Sequence, residues 1–491
     1  MYTLTSAVML TIVGRVTDIF GRRWVFVGGS FLAVIGSVVC ATAQSVKALI
    51  GGTTIIGVAA STQLSYFYIM GELVPMKFRL AGNAYAYLWQ FPGSGLAPAI
   101  AHAFLLYTNV GWRGLYYLLI AVNAVSFLCW FFFYHPPTFK MKHQGASKMK
   151  YLKSFDYFGT ALYTGGLLIL LMGLNWGGAV YEWKSAHVIG TIVVGAVALI
   201  VFSLWEGFMS LEEPLVPLYL FQNRGWNAST ILSSVAASMY YAFAIVWPAM
   251  VTLMYSDGGP MVGPWLSTFV GLFIVLGEIV AGFCAKYIGH LKCQCVVMTA
   301  LGGIFFACVA TCGPDTKLLA CVLVSLGVFF LGWVESVSIT LITLTTTDQT
   351  NLGTACGISG SIRFLISSIS STVYNVILSN RLAQTIPAQV PPAVVNAGLP
   401  TSSVEKFIAG FTTGTFENIT GLTPEIQAIG TRAFKEANAA AYRTVFLSTL
   451  AFTGVAVIAG LLLPKGLDEL LTGKVSTTLY SGRHKKRVAG E

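Results

Sequence analysis

Glu335 and Arg363 sit inside otherwise apolar stretches, at about 318–344 and 355–379. Each lies about eight or nine residues from the same end of its stretch. At 1.5 Å per helical residue that is a depth of roughly 12–14 Å, near the midplane of a ~30 Å hydrocarbon core. A charge there costs several kcal/mol unless it is paired or wet. The two fall at equal depth on consecutive antiparallel helices. Two readings are open: a cavity-lining pair coupled to protons or an anionic substrate, or a structural ion pair between neighbours. Glu278, about seven residues from the end of stretch 264–285, is either a second proton site or an acid reaching along its helix to Lys286. Glu206, at a helix end, is expected to be interfacial.

A second concentration of charge is Gly14-Arg15-Val16-Thr17-Asp18-Ile19-Phe20-Gly21-Arg22-Arg23, between two apolar stretches. An echo follows at Gly282-Phe283-Cys284-Ala285-Lys286-Tyr287-Ile288-Gly289-His290, with the same spacing between its glycines. Two related halves, each with a Gly-flanked basic turn, point to a secondary transporter built from repeats. His290, Cys293 and Cys295 form a short His/Cys group. No second ligand cluster follows them, so no metal is expected.

Polar and aromatic side chains gather at Thr62-Gln63-Leu64-Ser65-Tyr66-Phe67-Tyr68, at Trp89 and Gln90, and at Tyr240, Tyr241 and Trp247. Such faces suit a large amphipathic ligand; an aromatic belt or ordinary packing is the alternative. Gly93, Gly95 and Pro98 fall within a spanning stretch, where small residues permit close helix approach and proline bends the helix.

These residues need a membrane to position them. Of 491 residues 55% are hydrophobic and 10% charged, with mean hydropathy +0.74; soluble domains carry roughly 25% charged residues. The net charge of +10 is expected in cytoplasmic loops rather than on nucleic acid. The cysteines lie mostly in apolar stretches, against a disulfide framework. Hydrophobic runs long enough to span are expected at about 2–19, 24–42, 49–70, 80–106, 115–134, 155–175, 187–208, 228–254, 264–285, 295–312, 318–344, 355–379 and 443–463.

One set of connecting loops carries thirteen Lys and Arg (Arg15, Arg22, Arg23, Lys77, Arg79, Lys140, Lys142, Lys148, Lys150, Lys153, Arg224, Lys286, Lys292) and the other carries four (Lys47, Arg113, Lys184, Lys317). The first set is therefore expected in the cytoplasm, with the tail Arg483-His484-Lys485-Lys486-Arg487. A loop over 380–442, rich in Pro, Ala, Thr and Gly, then falls outside and offers Asn418-Ile419-Thr420 for glycosylation. Asn227-Ala228-Ser229 lies at a cytoplasmic helix mouth and is expected to stay bare. Only about 17 residues lead up to the basic turn, roughly 25 Å of helix. A further helix preceding this sequence, making fourteen, is expected.

The chain resembles the major facilitator superfamily: its fourteen-helix drug:proton antiporter group, and most of all the fungal branch of trichothecene efflux pumps and siderophore–iron transporters. Gly14 to Arg23 is similar to the superfamily's loop motif between helices 2 and 3. Gly71-Glu72-Leu73-Val74-Pro75-Met76-Lys77-Phe78-Arg79 is similar to the fungal branch, and Pro92-Gly93-Ser94-Gly95-Leu96-Ala97-Pro98 to the antiporter motif. The antiporters usually carry an Arg where Thr53 stands here, and the motif's final Gly is Ala101.

The resemblance implies an all-α polytopic fold of two six-helix halves plus two accessory helices, with about thirteen of these helices present. The divisions are 1–134, N-terminal half; 135–154, cytoplasmic loop; 155–208, accessory pair; 209–379, C-terminal half; 380–442, extracellular loop; 443–463, last helix; 464–491, tail. It also implies that Asp18 and the loop arginines Arg22 and Arg23, beside Glu72 and Arg79, bridge helices as a gate made in one conformational state and broken in another. A solvated acid among membrane-anchoring arginines is the competing reading.

The leading expectation is proton-coupled efflux of hydrophobic toxins or drugs across the plasma membrane, or a vacuolar or vesicular one, by a monomer. Its partners would be a small amphipathic or hydrophobic substrate, protons and lipid; no cofactor is expected. Uptake of ferric siderophores is the alternative within the fold. A non-transporting receptor is a third reading, for which no signalling domain is visible. The sequence has no Gly-x-x-x-x-Gly-Lys-Ser/Thr loop for an ATP-driven pump. No catalytic triad or metal cage is evident, so an enzyme is not expected.

Overall fold

The architecture is known from a computed structural model, which describes residues 2–137, 139, 147–178, 180–209, 211–413, 415–416 and 419–472. Lys140, Lys142, Asn418 and the basic tail lie outside the described residues. The helices are α1 (Tyr2–Phe20), α2 (Arg23–Ala41), α3 (Val46–Gln63), α4 (Tyr66–Leu73), α5 (Arg79–Tyr107), α6 (Arg113–Phe133), α7 (Lys148–Ser154), α8 (Tyr157–Trp176), α9 (Ala186–Phe208), α10 (Arg224–Met254), α11 (Val262–Ile288), α12 (Leu291–Val309), α13 (Lys317–Thr345), α14 (Leu352–Asn396), α15 (Thr401–Thr413) and α16 (Pro424–Leu462).

Among the described residues twelve stretches are long and apolar enough to cross a membrane, α3 and α4 counting as one. The 29-residue α5 makes a thirteenth long helix; Asn83, Gln90, His102 and its glycines dilute its hydropathy. Starts are fixed locally. Ser45, Asp156, Ser185 and Asn223 accept first-turn amides of α3, α8, α9 and α10, satisfying donors that the helix itself leaves free.

Two bundles meet, α1–α6 and α10–α16, with α8 and α9 paired beside them and α8 packed on α1 and α14. The bundles touch chiefly along α1 with α14 and α5 with α11. Small residues make both seams possible. A Cβ on Gly14 would run into the Gly353 carbonyl, and one on Gly357 into the Leu10 carbonyl. Across the other seam, a Cβ on Gly271 would meet Ser94 O and stand 3.3 Å from Gly95 Cα. Gly95 thus packs as its spacing predicts, whereas Gly93 has nothing within 4 Å and contributes no packing.

Two expectations about elements need correction. The stretch expected as one helix over 49–70 is broken at Leu64–Ser65. Ser61, Thr62 and Ser65 hydroxyls donate back to the carbonyls of Val58, Ala59 and Ser61 at 2.6–2.7 Å, and such back-bonding bends helices. Residues 380–442, expected as a loop, are largely helical: α14 continues to Asn396 through Pro387, Pro391 and Pro392, α15 follows, and α16 begins at Pro424 rather than near 443. Their apolar faces form a small core of their own, with Val390, Val394, Phe407, Ile426 and Ala437 buried. Phe411 stacks on Phe434 at 3.9 Å. Arg432–Asp315 (2.8 Å) and Lys435–Asp257 (2.9 Å) tie this cap to two interhelical turns.

Candidate functional site

Two constellations lie on the seam between the bundles, one at the end of α1 and one in the middle. At the first, Asp18 in the last turn of α1 points at the N-terminus of α14. Its Oδ2 accepts the Thr354 amide (2.5 Å) and hydroxyl (2.9 Å), and its Oδ1 accepts the Gly353 amide (3.2 Å). A carboxylate is well placed there, because first-turn amides lack intrahelical partners and carry the positive end of the helix dipole.

Arg22 donates to Asp18 Oδ1 at 3.0 Å, pairs with Glu72 at the end of α4, and lies 4.7 Å from the centre of the Tyr68 ring. Burial works against the Arg22 charge, but Glu72 and then Asp18 more than offset it and raise its pKa above the ordinary value. Arg79 donates to Thr343 O and Gln349 Oε1, each at 2.8 Å, and Asn83 donates to Thr340 Oγ1 at 2.9 Å, so α5 is tied to α13 as well. Arg15 pairs with Glu213. Arg23 lies apart from this cluster and donates to Phe131 O at 2.8 Å; Arg22 and Glu72 pair within the first bundle and brace Asp18 from that side. The solvated-acid reading fails for Asp18, which is 3% exposed.

In the middle, Glu335 on α13 pairs with Arg363 on α14. They line a cavity of about 290 Å³ together with Tyr66, Gln90, Tyr241 and Glu278. The break at Leu64–Ser65 is what turns Tyr66 into it. Glu278 on α11 does not reach Lys286, whose ammonium donates to Lys77 O at 3.0 Å. Glu278 Oε2 is buried and has no hydrogen-bond partner among the described residues. The cavity therefore brings two acids and one base together in one buried space.

Three expectations fail at the cavity. Gln63 points away and donates to Asn123 Oδ1 at 2.6 Å. Trp247 is buried in an apolar cluster, its indole N–H satisfied by Leu266 O at 2.9 Å. Trp89 is 75% exposed. Trp247 stands seven residues beyond Tyr240 on α10, on nearly the same face but about 10 Å further along the helix, past the end of the cavity. Residues that the sequence reading missed include Ser94, Ser233, Ser359 and Phe364. Ser359 and Phe364 could have been found from Arg363, since neighbours of a buried charge on the same helix share its cavity. Glu206 is 8% exposed and accepts the Leu215 and Val216 amides at 2.8 and 3.0 Å, holding the turn after α9. His290 takes a left-handed conformation before α12; Cys293 is exposed and Cys295 buried, so the three do not converge.

A family model described as fungal trichothecene efflux pump matches residues 1–490. The trichothecene efflux pump TRI12 of Fusarium sporotrichioides is 27% identical over 100% of this chain and 83% of its own length. The MFS-type transporter prx5 of Penicillium rubens is 31% identical over 90% of this chain and 80% of its own. Among solved structures, the human organic anion transporter MFSD10 has a TM-score of 0.54 at 12% identity, covering 94% of this chain and 82% of that one. The proton:xylose symporter XylE has 0.54 at 13%, covering 96% and 87%. At such identities the likeness to these two is one of fold.

Proposed function

From the premise that this chain belongs to the fungal trichothecene efflux pump family, a group of multi-pass major facilitator transporters, we propose that it exports a small amphipathic molecule in exchange for protons. The observation that carries the reading is the cavity on the seam between the bundles, where Glu278 and the Glu335–Arg363 pair share one space.

A transporter of this shape works by exposing one site to the two sides in turn. The contacts of Asp18 and Arg79 close the end at which most loop Lys and Arg lie, which the positive-inside rule makes cytoplasmic. Opening that end requires the amides of Gly353 and Thr354 to leave Asp18. Charge-assisted hydrogen bonds of this kind suit a contact made in one state and replaced by water in the other.

In the cavity, a proton reaching Glu335 cancels the acid that faces Arg363. The guanidinium is then left without its counter-charge in a dry place, which is costly. Glu278, the nearby acid whose Oε2 has no hydrogen-bond partner among the described residues, is the remaining group that can balance it. Proton arrival thus reorganises the cavity, and substrate release is coupled to that reorganisation. The aromatic and hydroxyl wall (Tyr66, Tyr241, Ser94, Ser359) holds the substrate by apolar contact and a few hydrogen bonds. The working form is a monomer in the plasma membrane.

The test is substrate flux driven by an imposed pH gradient in vesicles, normalised to protein level. Glu335→Gln and Arg363→Gln alone each strand one buried charge, a loss of about 3–5 kcal/mol in stability. The double variant leaves none stranded and recovers folding. It does not recover proton-driven flux. Normal flux in the double variant would reduce the pair to a structural bridge.

A further inference from the structure

A second cavity, of about 480 Å³, lies further along α14, away from the Asp18 end. Pockets that hold small ligands have volumes of about 300–1,000 Å³. Ser368, Ser371, Thr372, Asn375 and Ser379 of α14 line it. Their spacing of three and four residues puts them on one helix face. Ser368 is buried and Asn375 and Ser379 are exposed, so the chamber opens away from the clasped end.

The opposite wall comes from the accessory pair. Asn175, near the end of α8, donates to Leu171 O at 2.7 Å and to Ser368 Oγ at 3.2 Å. Trp183, in the connector to α9, lies against Gly177 and Gly178, where a Cβ would stand 2.6 and 2.7 Å from the indole. Any larger residue at either glycine would push the ring out of the wall.

Tyr241 lines both this chamber and the central cavity. Its ring is tilted at 5.9 Å against Phe364, which lines the central cavity. Among the described residues the chamber's lining contains no Asp, Glu, Lys, Arg or His. It is built from hydroxyls and amides, with Trp183, Ile245 and Val376 as its apolar surface. The side chains of Ser371, Asn375 and Ser379 have no hydrogen-bond partner among the described residues, which leaves donors and acceptors for whatever enters. A charged ligand would find no counter-charge there. A neutral ligand with several oxygens would find matching groups at each step along α14 and an aromatic face opposite.

We propose that this chamber is a second ligand site, on the outward path from the central cavity, for an uncharged molecule bearing several hydroxyl, ether or ester oxygens on an apolar skeleton. The accessory helix pair forms part of that site through Asn175 and Trp183. The proposal rests on the exporter reading above.

The test uses the full chain in lipid nanodiscs, with the exposed Cys129, Cys284, Cys293 and Cys308 changed to Ser. One new cysteine is then placed either in the chamber (Ser371→Cys) or in the central cavity (Ser94→Cys). The rate of modification by a small maleimide is measured with a tritiated trichothecene as neutral probe and with rhodamine 6G as cationic probe. The trichothecene slows modification at both cysteines, and the cation does not slow it at Ser371→Cys. Trp183→Ala weakens protection at Ser371→Cys about tenfold in probe concentration, the loss expected for one well-packed aromatic contact. It leaves protection at Ser94→Cys unchanged. Protection at Ser94→Cys without protection at Ser371→Cys would overturn the second site and spare the exporter reading. Equal protection of Ser371→Cys by the cation would overturn the neutral-ligand assignment. Protection at neither cysteine would overturn both.

Discussion

Asp18 and Thr354 lie 336 residues apart in sequence, yet one carboxylate oxygen of Asp18 accepts both the backbone amide and the hydroxyl of Thr354, at 2.5 and 2.9 Å. The end of one bundle is thereby capped onto the start of a helix in the other. The bond can be lost without unfolding either helix, since the freed amides sit at a helix end where water can replace Asp18.

Asp18→Asn keeps the size but replaces one accepting oxygen with a donor facing an amide donor. Transport is expected to slow with protein level nearly unchanged, the shift between states being about 1–3 kcal/mol. The Arg22 side of the clasp keeps its charge throughout the physiological range. A raised pKa means its contribution is complete below the ordinary arginine value and fades only as pH rises through the raised one. Any pH dependence between about pH 5 and 8 therefore originates elsewhere. Wild-type flux at every pH in Asp18→Asn would refute the clasp.

Gly14 and Gly357 face backbone across the α1–α14 seam. Gly14→Leu or Gly357→Val forces the helices apart at a cost of about 1–3 kcal/mol. The measurement is the thermal midpoint in detergent. Gly93→Ala, where nothing lies within 4 Å, is expected to leave that midpoint in place. Equal tolerance at all three positions would contradict the packing described for the seam.

Glu278→Gln removes the acid whose Oε2 lacks a hydrogen-bond partner among the described residues. Because it breaks no ion pair seen there, the variant is expected to fold. It should lose flux driven by a pH gradient while still exchanging substrate for substrate at equal pH. Loss of both activities together would make Glu278 part of the binding surface instead of the proton path.

Sidedness can be read by labelling. An impermeant thiol reagent on intact cells is expected to modify Ser402→Cys, on the exposed start of α15, and to spare Lys148→Cys on α7. Glycosidase treatment should change electrophoretic mobility only through Asn418. Labelling at Lys148→Cys on intact cells would invert the topology.

Much of this arrangement was legible because buried charge is rare in a membrane. Equal depth on antiparallel stretches was enough to pair Glu335 with Arg363, and the density of charge between two apolar runs marked Asp18 and Arg22. The partners of Asp18 were not legible, since a backbone amide leaves no mark in a sequence. Nor was the break at Leu64–Ser65, which depends on hydroxyls choosing their own helix over a neighbour. Trp247 and Gln63 show the limit of composition: an aromatic or amide residue in a span says nothing of whether it meets a cavity. The helices within 380–442 were obscured by their prolines, whose cost is offset here by a small apolar core that becomes evident only once three helices are assembled.

α14 is one helix of 45 residues, about 68 Å long. It carries Thr354 at the clasp, Arg363 in the central cavity, Ser371 in the outer chamber and Val394 in the cap. Over that length small angles become large excursions: pivoting by about 5° at the clasped end sweeps the other end through about 6 Å. The cap is fastened by Arg432 and Lys435 to turns of the same bundle. A rotation of α14 is expected to change two things together: the bonds from the Thr354 amide and hydroxyl to Asp18, and the width of the opening at Ser379.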